Sequence, residues 1–185
     1  MKGKMTGKSK TKHAILGVLS FGPHSGYDIA KFCREVISSF WGESYGQIYP
    51  NLKQLATDGL VRVHAESKGD RRKKIYELTA AGRKELKRWL SEPAKPQPVR
   101  NEVLLKLFFA FDVSAEISRE HIRYVLESNQ QLVKWLMQAR TGLQSTDFTK
   151  AQNRQAEMSI RLGELIAKAR VKWAKECLTD LEGRR

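Results

Sequence analysis

Cysteine is scarce in this 185-residue chain, which holds only Cys33 and Cys177. Two distant cysteines cannot staple a disulfide scaffold, and no Cys-x-x-Cys pair offers zinc a thiolate clip. Both fall on apolar faces and read as buried, inert thiols rather than a redox pair. Histidine is equally sparse. His13, His24, His64 and His121 share no metal-ligand spacing, and the paired histidines of zinc hydrolases are absent. No Gly-x-Ser-x-Gly or P-loop sequence occurs, so the sequence predicts no enzyme, metal or cofactor. Long apolar runs are missing too, which excludes a membrane span. The run Ala14–Phe21 is short, is interrupted by Gly17 and Ser20, and makes a poor secretory signal. The expectation is a soluble, cytoplasmic protein.

Acidic side chains are also in deficit. The chain has 34 Lys and Arg against 20 Asp and Glu, a net charge of +14. The excess is uneven. Residues 1–100 hold 20 basic and 9 acidic side chains, a net of +11, whereas residues 101–185 hold 14 and 11, a net of +3. The first half is therefore the candidate for a polyanionic partner.

What is present has clear periodicity. Residues 1–12, with five lysines and no apolar run, read as a basic flexible tail, either a solvated terminus or an arm that touches phosphates. Ala14, Ile15, Val18 and Leu19 predict a first helix over about Thr11–Ser20, stopped by Gly22-Pro23. Ser25-Gly26-Tyr27-Asp28 has capping-box spacing and opens a second helix to about Ser38. A third helix over about Ser44–Asp58 carries Ile48, Leu52, Leu55 and Ala56 on one side. Gln47, Pro50, Lys53, Gln54 and Thr57 lie on the other. Pro50 sits in its early turns, with Gly46 four residues before giving the backbone room. Gly59 closes this helix. Alternation of Val61, Val63 and Ala65 with Arg62, His64 and Glu66 then signals a strand over 60–67. A basic turn at Lys68–Arg72 and a return strand over 73–78 complete a hairpin. Thr79 suits the N-cap of a fourth helix through Leu86, Trp89 and Leu90.

Pro93, Pro96 and Pro98 cannot continue a helix, so residues 93–100 read as a linker between a domain at 13–92 and another at 101–185. The second domain opens with an apolar helix over Glu102–Phe111. A long helix, capped by Ser118, runs to about Gly142. The last helix runs to about Leu181 and carries the stripe Met158, Leu162, Leu165, Ala169, Trp173, Cys177 and Leu181. Two such seams cannot both be buried within one hairpin, so a second copy of the chain is the expected cover and the stripe the expected dimer interface. Trp135 and Trp173, with Met137 and Met158, suit either plain core or the lining of an effector pocket.

The fold class that follows is mainly α with a small β-hairpin. An N-terminal winged helix-turn-helix precedes a C-terminal long-helix dimerisation domain. Gln47, Lys53 and Gln54 can read base edges from a major groove. The tip residues Lys68, Arg71, Arg72, Lys73 and Lys74 suit phosphates or a narrow minor groove. Ser25, Gly26 and Tyr27 can offer backbone N–H groups to a phosphate.

Specific motifs carry a resemblance. The stretch Gly22-Pro23-His24-Ser25-Gly26-Tyr27-Asp28-Ile29 is followed by Phe40-Trp41-Gly42-Glu43-Ser44-Tyr45-Gly46-Gln47-Ile48-Tyr49-Pro50-Asn51-Leu52 and by Gly59-Leu60-Val61. Together with Arg71-Arg72, Tyr76-Glu77-Leu78-Thr79, Gly82-Arg83 and Trp89-Leu90, they resemble the PadR family of bacterial transcriptional regulators. Asn101–Phe109 resembles the start of the virulence-activator-type C-terminal domain of its longer subfamily. The resemblance implies a homodimeric repressor, sometimes an activator, on a palindromic operator, released by a small hydrophobic or aromatic effector such as a phenolic acid. It places Ser44, Tyr45, Gln47, Tyr49 and Lys53 at the major groove and Arg71, Arg72 and Lys73 at the wing. Tyr49 lies at the edge of the apolar stripe and suits core or groove equally. A ligand-sensing or partner-binding helical module, with DNA contact secondary, is the alternative reading.

Overall fold

In the computed structural model, residues 8–38, 40, 41, 45–65, 74–96 and 100–183 are described. The chain divides into two compact units, 1–96 and 97–185, and the division falls inside the proline-rich stretch.

The first unit is built from α1 (Lys8–Leu19), β1 (His24–Ser25), α2 (Gly26–Phe32), α3 (Tyr45–Thr57), β2 (Val61–Ala65), β3 (Lys74–Leu78) and α4 (Ala80–Leu90). Its core takes Ile15, Leu16, Val18 and Leu19 from α1 and Ile48, Leu52 and Leu55 from α3. Ile29 and Cys33 enter beside α2, Val61, Tyr76 and Leu78 from the sheet, and Leu86 from α4. Those are the apolar positions of each helical or strand period, so burial follows directly from the pattern.

Three local features differ from expectation. Lysines 8–12 belong to α1 rather than to a flexible tail, because Thr11 and His13 are buried. Lys12 and His13 both reach Glu85 of α4, at 3.1 and 3.2 Å. The second helix changes character at Cys33, where five residues, Cys33–Ile37, form a π-helical turn. A two-residue strand, β1, joins the hairpin and makes the sheet order β1-β3-β2, all antiparallel. Two residues are too short a stretch for periodicity to register.

The junction of α3, the hairpin and α4 is tightly tied. Gly59 takes φ +67°, a left-handed conformation that costs glycine little. It lets Leu60 N–H reach the Leu55 carbonyl at 2.9 Å and Gly59 N–H the Ala56 carbonyl at 3.1 Å, a Schellman closure. Thr79 then caps α4, accepting from Gly82 N–H at 3.0 Å and donating back to the Gly59 carbonyl at 2.8 Å.

The second unit consists of α5 (Glu102–Phe108), a 3-10 turn at Ala110–Asp112, α6 (Ala115–Gly142), a second 3-10 turn and α7 (Lys150–Glu182). The expected helix to Phe111 therefore ends at Phe108. Ser114, not Ser118, sits at the N-cap position of α6; both serines suit it, and the chain enters the helix four residues earlier. Along α6 the buried residues Ile122, Asn129 and Leu136 recur every seven positions. On α7 the buried residues include Ala167 and Ala174, and a Cβ on Gly163 would lie 3.4 Å from Leu136 Cδ1, so small residues line the approach of the two helices. Asn129 Nδ2 donates to the Val125 carbonyl at 2.8 Å. Glu164 is buried in α7 and paired with Arg140 of α6 at 3.2 Å and with Lys168.

Candidate nucleic-acid interface

Helix α3 separates its two sides cleanly. Ile48, Leu52 and Leu55 are each no more than 1% exposed, whereas Gln47, Tyr49, Pro50, Lys53, Gln54 and Thr57 face solvent. The helix continues through Pro50. The side-chain amide of the next residue, Asn51, donates to the Gln47 carbonyl at 2.8 Å, adding a bond in the turn where proline removes one. Gln47 and Lys53 have no side-chain partner among the described residues, so both are available to a ligand. Gln54 is engaged: its Nε2 donates to Asp58 at 2.8 Å.

The start of α2 carries the capping box that its sequence predicts, with Ser25 at the N-cap and Asp28 three residues on. Ser25 is only 3% exposed. Its hydroxyl donates to Asp28 Oδ2 at 2.6 Å and accepts from Asp28 N–H at 3.1 Å. The side chain is thus spent on the capping box and withdrawn from the surface. Tyr27, one step on, is 58% exposed. Tyr49 is neither plain core nor fully solvated. It is half exposed, yet a Cβ on Gly26 would lie 2.7 Å from its Cε1, so the ring packs directly on the first turn of α2. Burial, and Tyr49 nearby, push the Tyr76 phenol above its ordinary value.

Hairpin strands β2 and β3 pair from Val61↔Leu78 to Ala65↔Lys74. Ser44, Lys68, Arg71, Arg72, Lys73 and the Tyr45 side chain lie outside the described residues. Lys74, at the base of the tip, is exposed. On the outer face of the hairpin stand Arg62, His64 and Glu77, a group that the sequence reading did not single out. Its signal was the alternation of β2, which pointed residues 62 and 64 outward without revealing what stood opposite.

In the second unit the expected stripe on α7 divides. Met158, Leu162, Leu165 and Ala169 are exposed, whereas Trp173, Cys177 and Leu181 are half-buried. The α6-facing seam uses Ala167 and Ala174 instead, which leaves the larger residues uncovered in one copy. Leu104, Leu105, Phe108, Phe109 and Phe111 add further exposed apolar surface in the same unit. Trp135 and Trp173 are both half-buried, and no ring contact joins them among the described residues. Among the described residues no group of three or more His, Cys, Asp or Glu side chains could hold a metal ion, and no helix is long and apolar enough to cross a membrane.

Comparison with known proteins gives two consecutive family matches. Residues 15–88 match the transcriptional regulator PadR-like family, and residues 99–182 match the virulence activator alpha C-terminal family. The chain is 36% identical over 122 residues to the negative transcriptional regulator PadR of Bacillus subtilis, a stretch spanning 64% of this chain and 66% of that protein. Among solved structures, Bacillus subtilis PadR in complex with operator DNA aligns at 28% identity with a TM-score of 0.78, covering 92% of this chain and 98% of that one. The same protein in complex with p-coumaric acid aligns at 25% identity with a TM-score of 0.75, covering 97% and 99%. The Vibrio cholerae virulence activator AphA aligns at 30% identity with a TM-score of 0.74, covering 95% and 99%.

Proposed function

Because this chain belongs to the PadR-like family of transcriptional regulators, we propose that it binds a palindromic operator in double-stranded DNA as a homodimer in the cytoplasm. It represses transcription there and is released by a small hydrophobic or aromatic effector. The observation that carries this reading is the exposed side of α3, which presents Gln47 and Lys53 with no competing partner among the described residues. A glutamine at that place can bond an adenine edge bidentately, and a lysine can neutralise a phosphate or reach guanine. Tyr27 and Tyr49 border the same surface, and the wing-tip cations Lys68, Arg71, Arg72 and Lys73 extend it by sequence. The solved complex of Bacillus subtilis PadR with operator DNA supports the DNA half of the reading, and its complex with p-coumaric acid supports the effector half.

The uncovered apolar residues of α7 support the homodimer. Leu162 and Leu165 are 61% and 55% exposed, a poor arrangement for a lone helix pair in water. A second copy packed on Met158, Leu162, Leu165, Ala169, Trp173 and Leu181 removes that surface. Two-fold symmetry then sets two copies of α3 about 34–36 Å apart, or a multiple of it, to match successive major grooves. Trp135 and Trp173 are the aromatic side chains of this unit best placed by sequence to meet an effector.

The test is binding of the full chain to promoter fragments of its own genome across a salt series. The expected outcome is a sequence-selective complex whose log K falls by roughly 0.9 per phosphate neutralised for each unit of log salt. A non-selective complex, or one indifferent to salt, contradicts the proposal.

A further inference from the structure

We infer that Tyr49 of α3 is a positioning residue: its ring, seated on Gly26, props the middle of the wing hairpin at a fixed place relative to that helix. The inference rests on the DNA-binding reading and deepens it.

Residue 26 has no room for a side chain. A Cβ there would lie 2.7 Å from Tyr49 Cε1, 3.4 Å from Tyr49 Cδ1 and 3.3 Å from Leu52 Cδ1. All three are side-chain atoms of α3, so α2 begins in direct contact with that helix. Gly26 is also the residue that follows β1, whose His24 and Ser25 pair with Tyr76 and Ile75 of wing strand β3. Tyr76 and Ile75 pair in turn with Val63 and His64 of β2. A chain of contacts therefore runs from Tyr49 through Gly26 and β1 to both strands of the wing. Burial and, after it, the Tyr49 phenol raise the Tyr76 phenol above its ordinary value, so the two phenols also stand near each other.

The hairpin is tied at two levels. At its base, Thr79 donates through its hydroxyl to the Gly59 carbonyl at 2.8 Å and through its N–H to the Leu60 carbonyl at 3.2 Å. The pair Val61↔Leu78 lies beside that tie, and Ala65↔Lys74 ends the described ladder toward the tip. A strand rises about 3.3 Å per residue, so Ala65 stands about 13 Å beyond the base. At that reach a tilt of about 5° moves the far end by about 1 Å. The base tie alone is a weak hold on the cations that follow in sequence, Lys68, Arg71, Arg72 and Lys73. β1 supplies the second tie, halfway along the ladder, and it is only two residues long. Its place against α3 is set where the chain passes the Tyr49 ring. Glycine at 26 permits that approach, and the ring limits how far it goes.

The experiment uses the full chain and a promoter fragment that the wild type selects. Affinity, its salt slope and hydrogen exchange at the slowest α3 amides are measured for wild type, Gly26→Ala, Tyr49→Ala, Tyr49→Phe and the double variant Gly26→Ala with Tyr49→Ala. Gly26→Ala removes no side chain that could touch DNA. It should nevertheless bind about tenfold more weakly, with a salt slope shallower by about 0.9 for each phosphate the displaced wing gives up. Tyr49→Ala should weaken binding similarly, and Tyr49→Phe, which keeps the ring, should rescue it to within about twofold of wild type. Adding Gly26→Ala to Tyr49→Ala should cost less than about twofold more, because the methyl group then has no ring to push. The α3 amides should stay protected throughout. If Tyr49→Phe loses as much as Tyr49→Ala, the phenol itself contacts DNA and the inference is overturned. It is equally overturned if Gly26→Ala costs the same in both backgrounds or leaves the α3 amides unprotected. Absence of any selective wild-type complex instead overturns the DNA-binding reading on which it rests.

Discussion

Gly82→Ala adds one methyl group to the first turn of α4, at the junction with the wing. A Cβ there would lie 2.0 Å from the Leu60 backbone oxygen and 2.9 Å from Leu78 Cδ1. Close carbon–oxygen contacts in proteins run at about 3.3–3.6 Å, so the turn must retreat by more than about 1 Å. The Leu60 oxygen cannot step aside freely, because it accepts from Thr79 N–H at 3.2 Å and from Thr79 Oγ1 at 3.0 Å. Overpacking of this kind costs about 1–3 kcal/mol, and losing both bonds costs about 1 kcal/mol each. Replacing glycine in a helix returns about 0.5–1 kcal/mol. The net expectation is a loss of about 2–4 kcal/mol. Gly17→Ala in α1 is the matched control: nothing lies within 4 Å of its Cβ position, so it should stabilise the first unit by about 0.5–1 kcal/mol. Native-state hydrogen exchange at the slowest α3 amides reads the first unit apart from the second. The reasoning is refuted if Gly82→Ala lies within about 0.5 kcal/mol of wild type, the range of an ordinary surface change, or if both variants shift the same way.

Ser25→Ala removes the two bonds of the hydroxyl to Asp28 but leaves the backbone N–H bond to its carboxylate, and should lower the stability of the first unit by about 0.5–2 kcal/mol, read by the same exchange measurement. In competition binding, Gln47→Ala should relax base choice by about 1–3 kcal/mol. Lys53→Ala should weaken all sequences alike and flatten the salt slope by about 0.9 per copy. Arg88, with Lys12 and His13 assisting, holds the Glu85 carboxyl well below its ordinary 4.5. A depressed carboxylate stabilises the fold above that ordinary value and loses the contribution as pH falls toward its folded value. Glu85→Gln should therefore cost about 1–3 kcal/mol near neutrality, and its gap from wild type in urea midpoint should narrow below about pH 4.5. Leu162→Arg with Leu165→Arg should halve the sedimenting mass while leaving the helical circular dichroism intact.

How far the sequence could be read depended on the length of each pattern. Helix α3 was legible in full, because Ile48, Leu52, Leu55 and Ala56 repeat over three turns and Gly59 supplies a conformation that glycine tolerates. The hairpin was legible from alternation alone. Strand β1 was not, because its two residues pair with a segment about fifty positions away. The start of α1 was hidden for a related reason: Lys8–Lys12 look like a solvated tail until Glu85, far along the chain, gives Lys12 and His13 a partner. At the candidate site, the Ser25-x-x-Asp28 spacing identified the capping box, and the structure shows both of its halves. On α7, the large residues Met158, Leu162 and Leu165 drew attention to one stripe. The intramolecular seam runs instead along Ala167 and Ala174, since close helix approach selects small residues. The Arg62–Glu77–His64 group required the hairpin register, which the strand pattern alone does not fix.

Chemical footprinting of the full chain on a promoter fragment that it selects tests whether paired α3 helices read the DNA. The expected pattern is two symmetric patches of major-groove protection, centred about 34–36 Å apart or a multiple of it, with Gln47→Ala altering which sequences give them. A single patch, or paired patches indifferent to changes at both Gln47 and Lys53, contradicts the account.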